Sequence, residues 1–251
     1  MPSEPLYLLR LDIETPRLYA LAHSHRLPSQ DDLGYVLHAG LAAMFGELSP
    51  ATFAIERSES HWLRVLAYSE RSLAELHAQA QTFADPEAYR LCDWERAVDK
   101  PMPATWREGQ RLGFQVRVCP TVRVAKAGPH HRAGAEIDAF LAAARRIPDE
   151  PRPEREAVYR AWLRDALARS EGASLERASL AQFHLETLLR RTQGKDRTAR
   201  PRLRKPDVTL QGALTVTDPG RFDALLRRGV GRHRAFGFGM LLLRPDRGEG
   251  C

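Results

Sequence analysis

Between Leu225 and Pro245 the chain reads LLRRGVGRHRAFGFGMLLLRP, and no other stretch limits the possible folds as much. Gly229 and Gly231, then Gly237 and Gly239, stand at alternate positions between an amphipathic segment and an apolar run. Pro219 marks the start of a helix over residues 218–228, and Met240–Leu243 has the composition of a last strand. The glycines between them let backbone amides approach an anion closely and form a nest for it. Arg232 and Arg234 lie inside that turn. A phosphate loop ending in Gly-Lys-Ser/Thr is absent, which argues against an ATPase.

The 251 residues, 43% hydrophobic and 28% charged, fit one large domain or two small ones with a real core. No apolar run approaches the roughly 18–20 residues of a membrane span. There is no basic-then-apolar leader pattern either, so a cytoplasmic protein without membrane contact is expected. Cys92, Cys119 and Cys251 are odd in number and far apart, which excludes a disulfide framework and a CxxC metal clip.

Charge is informative through its placement. The formal net charge is +6, and all the cations but Lys100, Lys126, Lys195 and Lys205 are arginines, whose planar fork grips phosphate. Arg190, Arg191, Lys195, Arg197, Arg200, Arg202, Arg204 and Lys205 face Asp196 alone, and Arg221, Arg227, Arg228, Arg232 and Arg234 face only Asp223. An ordinary solvated surface intersperses acids, as Asp149–Arg169 does. Stripes without them are the footprint of a polyanion. Arg123 and Lys126 join the nucleic-acid-binding candidates, together with Gly229, Gly231, Arg232, Gly237 and Gly239 of the turn.

Leu6–Ile13 has strand composition and lies between Pro5 and Pro16. A connector follows over Glu14–Pro28, carrying His23, His25 and Arg26. Ser29-x-x-Asp32 offers a capping box for a helix to Phe45, closed by Gly46. Leu33, Val36, Leu37, Gly40, Leu41 and Met44 form its apolar stripe, with Tyr35 and His38 roughly opposite. Thr52–Arg57 and His61–Ala67 read as strands and Arg71–Phe83 as a helix. Pro101-Met-Pro103 then marks a boundary, giving domains 1–104 and 105–251. Beyond it, Gln110–Val124 alternates as one or two strands. Ala135–Ile147 has helical spacing and reads as a protruding helical insertion over about 133–148. Arg155–Ala168 is a helix with Val158, Trp162 and Ala166 in register. Leu180–Leu189 suits either strand or helix, and Val208–Val216 is a strand. Strand–helix–strand–strand–helix–strand in each half predicts an α+β chain of two tandem ferredoxin-like, RRM-like domains, the second with the helical insertion.

Gly229, Gly231, Arg234, Ala235, Phe236, Gly237 and Gly239 fill the pattern G-hydrophobic-G-x-x-[KR]-[AS]-hydrophobic-G-x-G. This resembles the C-terminal glycine-rich loop of the CRISPR-associated RNA-processing endoribonucleases of the repeat-associated superfamily. Tyr35-x-x-His38 resembles the tyrosine–histidine pair of the type I-E branch, CasE. Gly109-Gln110-Arg111-Leu112-x-Phe114 with Arg117, and LQGALTVTDP over Leu210–Pro219, resemble strands of its second domain. The connector is longer than that branch implies, and the insertion resembles the helical finger of type IV processing nucleases, so both subtypes stay open.

The resemblance implies metal-independent cleavage of CRISPR precursor RNA at the base of repeat stem-loops, with the mature guide RNA retained and other effector-complex subunits as partners. The alternative is a non-catalytic guide-RNA-binding subunit. In the first case the substrate's 2′-OH attacks the adjacent phosphorus. His38 then serves as general base or acid, Tyr35 orients the 2′-OH or shares the proton transfer, and Arg234 or Arg26 neutralises the phosphorane. His23, His25 and Arg26 are rivals for the catalytic role. His23-x-His25 and His130-His131 lack a carboxylate or cysteine at ligand spacing, so neither a metal nor another cofactor is expected.

Overall fold

Alternation places Leu9, Leu11 and Ile13, all fully buried, on one face of strand β1 (Tyr7–Glu14). The computed structural model describes residues 4–25, 33–59, 61–128, 132–144, 153–189 and 202–246. These divide into two units. The first runs to Trp106 and includes Asp223–Gly229 and His233–Met240; the second comprises Arg107–Phe222, Val230–Arg232 and the residues from Leu241. Part of the glycine-rich segment is thus grouped with the first unit, whereas a cut at residue 104 assigns all of it to the second.

In the first unit β1 is followed by α1 (Thr15–Ser24), α2 (Leu33–Phe45), β2 (Thr52–Ser58), β3 (Trp62–Ser69), α3 (Leu73–Phe83), α4 (Pro86–Tyr89) and β4 (Val98–Pro101). The strands form an antiparallel sheet in the order β2-β3-β1-β4, with Leu9 opposite both Ala67 and Asp99. Leu18, Leu37, Leu41, Phe45 and Leu76 of the helices share one core with Leu9, Leu11, Ile13, Phe53, Leu63 and Val65 of the sheet. The expected connector is in fact helix α1. Pro16 sits in its first turn, where its missing N–H costs nothing, and Leu18, Leu21 and Ala22 supply its buried stripe. The expected capping box at Ser29 and Asp32 lies outside the described residues.

The second unit begins with β5 (Arg111–Val118), β6 (Thr121–Arg123), β7 (Glu136–Asp138), α5 (Ala139–Ala144) and α6 (Arg155–Ala168). It continues with β8 (Ala173–Leu189), β9 (Arg202–Val216), α7 (Pro219–Arg228) and β10 (Leu241–Arg244), α7 ending on residues grouped with the first unit. Its antiparallel sheet has the order β10-β5-β9-β8, the same 4-1-3-2 arrangement of successive strands as in the first unit. The fold class is therefore α+β, with two ferredoxin-like sheets in tandem.

One open alternative is resolved here and two local expectations change. Leu180–Leu189 is strand: apart from a bulge between Leu180 and Gln182, each residue in turn has a partner on β9, out to Leu189 opposite Arg202. Pairing with β5 stops at Val208, so the two strands run on as a ribbon. In the insertion, residues 136–138 are not helical; they pair with β6, Val122 opposite Ile137. Asp138 then accepts the Phe140 amide at 2.8 Å and starts α5. On α6 the fully buried positions are Tyr159, Leu163 and Leu167, one residue beyond the expected stripe, and Val158, Trp162 and Ala166 are only half-buried.

A clamp fixes α5 to its neighbours. The Arg155 guanidinium lies 3.9 Å from the Phe140 ring centre and 4.1 Å from that of Phe183. It donates to the Tyr159 hydroxyl at 2.7 Å, which in turn donates to Asp138 at 3.0 Å. Burial and the Asp138 charge push the Tyr159 phenol far above its ordinary range, so it remains a donor.

Candidate active site and nucleic-acid interface

Helix α2 meets the glycine-rich turn at a residue without a side chain. A Cβ on Gly34 would lie 2.2 Å from the Phe236 carbonyl oxygen, a separation real Cβ atoms do not show. Only glycine lets the helix rest on the short 3₁₀ turn Arg234–Phe236. The next helix residue, Tyr35, packs its ring on Phe236 with centroids 5.8 Å apart, and His233 meets the same phenyl group edge-on at 5.9 Å. The turn is closed by hydrogen bonds from Phe236 N to His233 O (2.9 Å) and from Gly237 N to Arg234 O (3.0 Å). Gly237 adopts a φ of 77°, in the left-handed region that favours glycine.

His38 lies one turn beyond Tyr35 on the half-buried side of α2. Burial lowers its pKa below the ordinary 6.5, because desolvation disfavours the imidazolium. Among the described residues it has no hydrogen-bond or ionic partner. A neutral ring with an available lone pair suits a proton acceptor.

Much of the second arginine cluster is neutralised by acids from elsewhere in the chain. Arg221 pairs with Glu171, Arg227 with Asp223 (2.7 Å) and Glu70 (3.1 Å), and Arg232 with Glu136 (2.5 Å). Arg228 and Arg234 have no carboxylate partner among the described residues, and Arg234 Nη1 donates to the Arg228 carbonyl at 2.6 Å. The uncompensated charge therefore collects at the turn that α2 touches.

The second unit holds the other cationic candidates. Arg204, Arg123 and Lys126 are exposed. Lys205 is not: only 8% of its side chain is accessible, and Nζ donates to the Glu136 carbonyl at 2.9 Å with the Glu136 carboxylate 3.7 Å away. Beside it, Arg117 and Asp207 form a two-bond pair at 2.9 and 2.8 Å. Lys205 is thus a structural cation. Replacing it with methionine is expected to lower stability by about 1–3 kcal/mol, the scale for a backbone carbonyl that loses its buried donor. The salt dependence of RNA binding should stay the same. Thermal melts and a salt titration check the two halves of this expectation separately.

Arg26, Arg190, Arg191, Lys195, Arg197, Arg200 and the pair His130-His131 lie outside the described residues, and Arg202 is described only as backbone of β9. His23 and His25 are exposed at the end of α1. No group of three His, Cys, Asp or Glu side chains at ligating distances occurs among the described residues. Gly34, Glu136 and Trp162 were not among the expected site residues. Gly34 had a signal, a glycine directly before Tyr35 in an otherwise good helix. Glu136 had none, because its cations come from three distant segments.

Two ferredoxin-like sheets in tandem, with a Tyr-x-x-His helix seated on an arginine-bearing glycine turn, define a recognisable class of protein. The family described as "CRISPR associated protein" matches residues 6–245. The chain belongs to that family. It is 31% identical over 170 residues to the CRISPR-associated endoribonuclease Cse3 of Thermus thermophilus, spanning 66% of this chain and 71% of the relative. Among solved structures, CRISPR endoribonuclease Cse3 bound to 19 nt RNA matches with a TM-score of 0.65 at 21% identity, over 96% of this chain and 100% of that one. A chain of a CRISPR RNA-guided surveillance complex matches with a TM-score of 0.55 at 17% identity, over 95% and 99%. No described helix is long and apolar enough to cross a membrane.

Proposed function

We propose that this protein is a cytoplasmic endoribonuclease that cuts CRISPR precursor RNA at the base of repeat stem-loops and keeps the mature guide RNA as a subunit of an effector complex. The observation that carries this reading is the seating of α2 on the Arg234–Phe236 turn through Gly34. It puts the Tyr35–His38 helix against a turn whose Arg234 has no carboxylate partner among the described residues. Identity to a Cse3 endoribonuclease supports the activity, and the likeness to a chain of an RNA-guided complex supports the subunit role.

In the reaction, neutral His38 takes the proton of the 2′-OH next to the cleavage site. The 2′ oxygen bonds to phosphorus, the P–O5′ bond breaks, and the leaving 5′ oxygen picks up a proton from the Tyr35 hydroxyl or from water. The products are a 2′,3′-cyclic phosphate and a 5′-OH. Arg234 offsets the extra negative charge on the phosphorane. Arg204 on the β8–β9 ribbon, with Arg123 and Lys126, holds the hairpin, and many phosphate contacts make its release slow.

The test is incubation with a repeat hairpin RNA and mapping of both product ends. Cyclic-phosphate and 5′-hydroxyl ends, formed equally well in excess EDTA, are expected. The single-turnover rate should rise with pH and level off by neutrality, with its midpoint below 6.5 because His38 must lose its proton to act. Ends of the opposite polarity, or a rate that falls over that range, contradict this mechanism. Binding without cutting indicates instead a non-catalytic guide-RNA subunit.

A further inference from the structure

In the second unit a cavity of about 380 Å³ opens between β6, Glu136 of β7, α6 and Arg232 of the glycine-rich segment. That lies within the roughly 300–1,000 Å³ of small-ligand sites. One wall is the indole of Trp162. Its Nε1 donates to the Thr121 carbonyl at 3.1 Å, and its Cη2 lies 2.9 Å from where a Cβ on Gly231 would be. Gly231, with a φ of 77°, is thus required twice, for its backbone angle and for this approach. The indole is held before any ligand arrives.

The rim is cationic. Arg123, Arg169 and Arg232 line it against Glu136 and Asp165, and both carboxylates already carry further cations. Glu136 takes Lys205 as well as Arg232 and Arg123, at 3.7, 2.5 and 3.8 Å, and Asp165 is bonded to Arg164 at 3.0 Å. The Arg123 and Arg232 side chains are more than half exposed, so they can turn to a new anion without leaving a buried charge behind.

A fixed aromatic face beside arginines that can grip phosphate is the arrangement that binds single-stranded nucleic acid. A base inside a duplex is stacked and paired, and cannot lie on an indole; an unpaired one can. We propose that this cavity takes one unpaired nucleotide flanking the RNA hairpin, its base on Trp162 and its phosphate on Arg232 and Arg123. Glu136 keeps the two arginines aimed at the cavity until the phosphate replaces it as their partner. This deepens the endoribonuclease reading and rests on it.

The experiment compares binding of a bare repeat hairpin with binding of the same hairpin carrying single-stranded extensions on both sides. The extended RNA is expected to bind more tightly. Trp162→Leu should reduce the ratio of the two affinities by about tenfold, the effect of losing one base stack, and Trp162→Phe should restore part of it. Arg232→Gln should lower the salt slope by about one for the extended RNA only. Crosslinking with 4-thiouridine, moved one position at a time through the extensions, should mark the peptide containing Trp162 from a single position. This last readout uses the wild-type protein and so does not depend on how well the variants fold. Equal loss of affinity for both RNAs in Trp162→Leu, or crosslinks from the stem alone, overturn the subsite and leave the nuclease reading intact. A wild-type protein that binds neither RNA overturns both.

Discussion

His38→Ala is expected to slow cleavage of the repeat hairpin by about 10²–10⁴-fold, the span of general acid–base catalysis, with RNA affinity unchanged. The imidazole is half-buried, neutral at pH 7, and without a hydrogen-bond or ionic partner among the described residues. Its loss therefore breaks no polar network among the described residues. Alanine is also the better helix former by a few tenths of a kcal/mol, so α2 should remain folded. A rate loss of that size then has no structural cause to hide behind, and single-turnover kinetics beside a binding curve separate the two. Near-normal cleavage by the variant removes His38 from the mechanism and turns attention to His23 and His25, which are exposed at the end of α1.

The stability of wild-type protein bears on the same group. A histidine whose pKa is lower in the folded than in the unfolded state contributes stability that is present above its ordinary 6.5 and lost as pH falls. Activity and stability should therefore decline together on acidification, and only the stability slope, which His38→Ala flattens, survives as a measure of burial.

How far the sequence revealed this fold depended on whether a residue's role is local. The strand β5, the Val208–Val216 part of β9 and the helices α3 and α7 follow from alternation, helical spacing and Pro219, all read within one segment. Helix α1 was hidden by Pro16, which ends a strand or begins a helix with equal ease, although Leu18, Leu21 and Ala22 carried the helical period. Residues 136–138 looked helical because their strand partner, β6, lies across a loop. The site divides in the same way. Tyr35, His38 and Arg234 stand in recognisable local patterns, whereas the burial of Lys205 depends on Glu136, some seventy residues earlier. The arginines of α7 and the following turn are opposed in sequence only by Asp223. Glu70, Glu136 and Glu171 meet three of them only once the chain is folded, and that leaves Arg228 and Arg234 without a carboxylate partner among the described residues.

Gly34→Ala tests whether the contact between α2 and the glycine-rich turn builds the active site. Two opposing effects act on stability. Alanine favours the helix by about 0.8–1.0 kcal/mol, while overpacking against the Phe236 backbone costs about 1–3 kcal/mol. The net loss should be small, between roughly zero and 2 kcal/mol. The geometric effect is larger. A Cβ placed 2.2 Å from the Phe236 oxygen must reach at least 3.0 Å, so the turn carrying Arg234 has to back away from Tyr35 and His38 by roughly 1 Å. Misplacement on that scale is worth about 10²-fold in rate. Gly40→Ala supplies the control on the same helix. There the new Cβ would meet the Leu18 and Leu91 methyl groups at 2.7 and 3.3 Å, the ends of flexible side chains that can swing aside. We expect the two variants to melt within a few degrees of each other. Cleavage should be lost in Gly34→Ala and kept in Gly40→Ala. Equal retention of activity by both would show that the close seating of the turn on the helix is dispensable for catalysis.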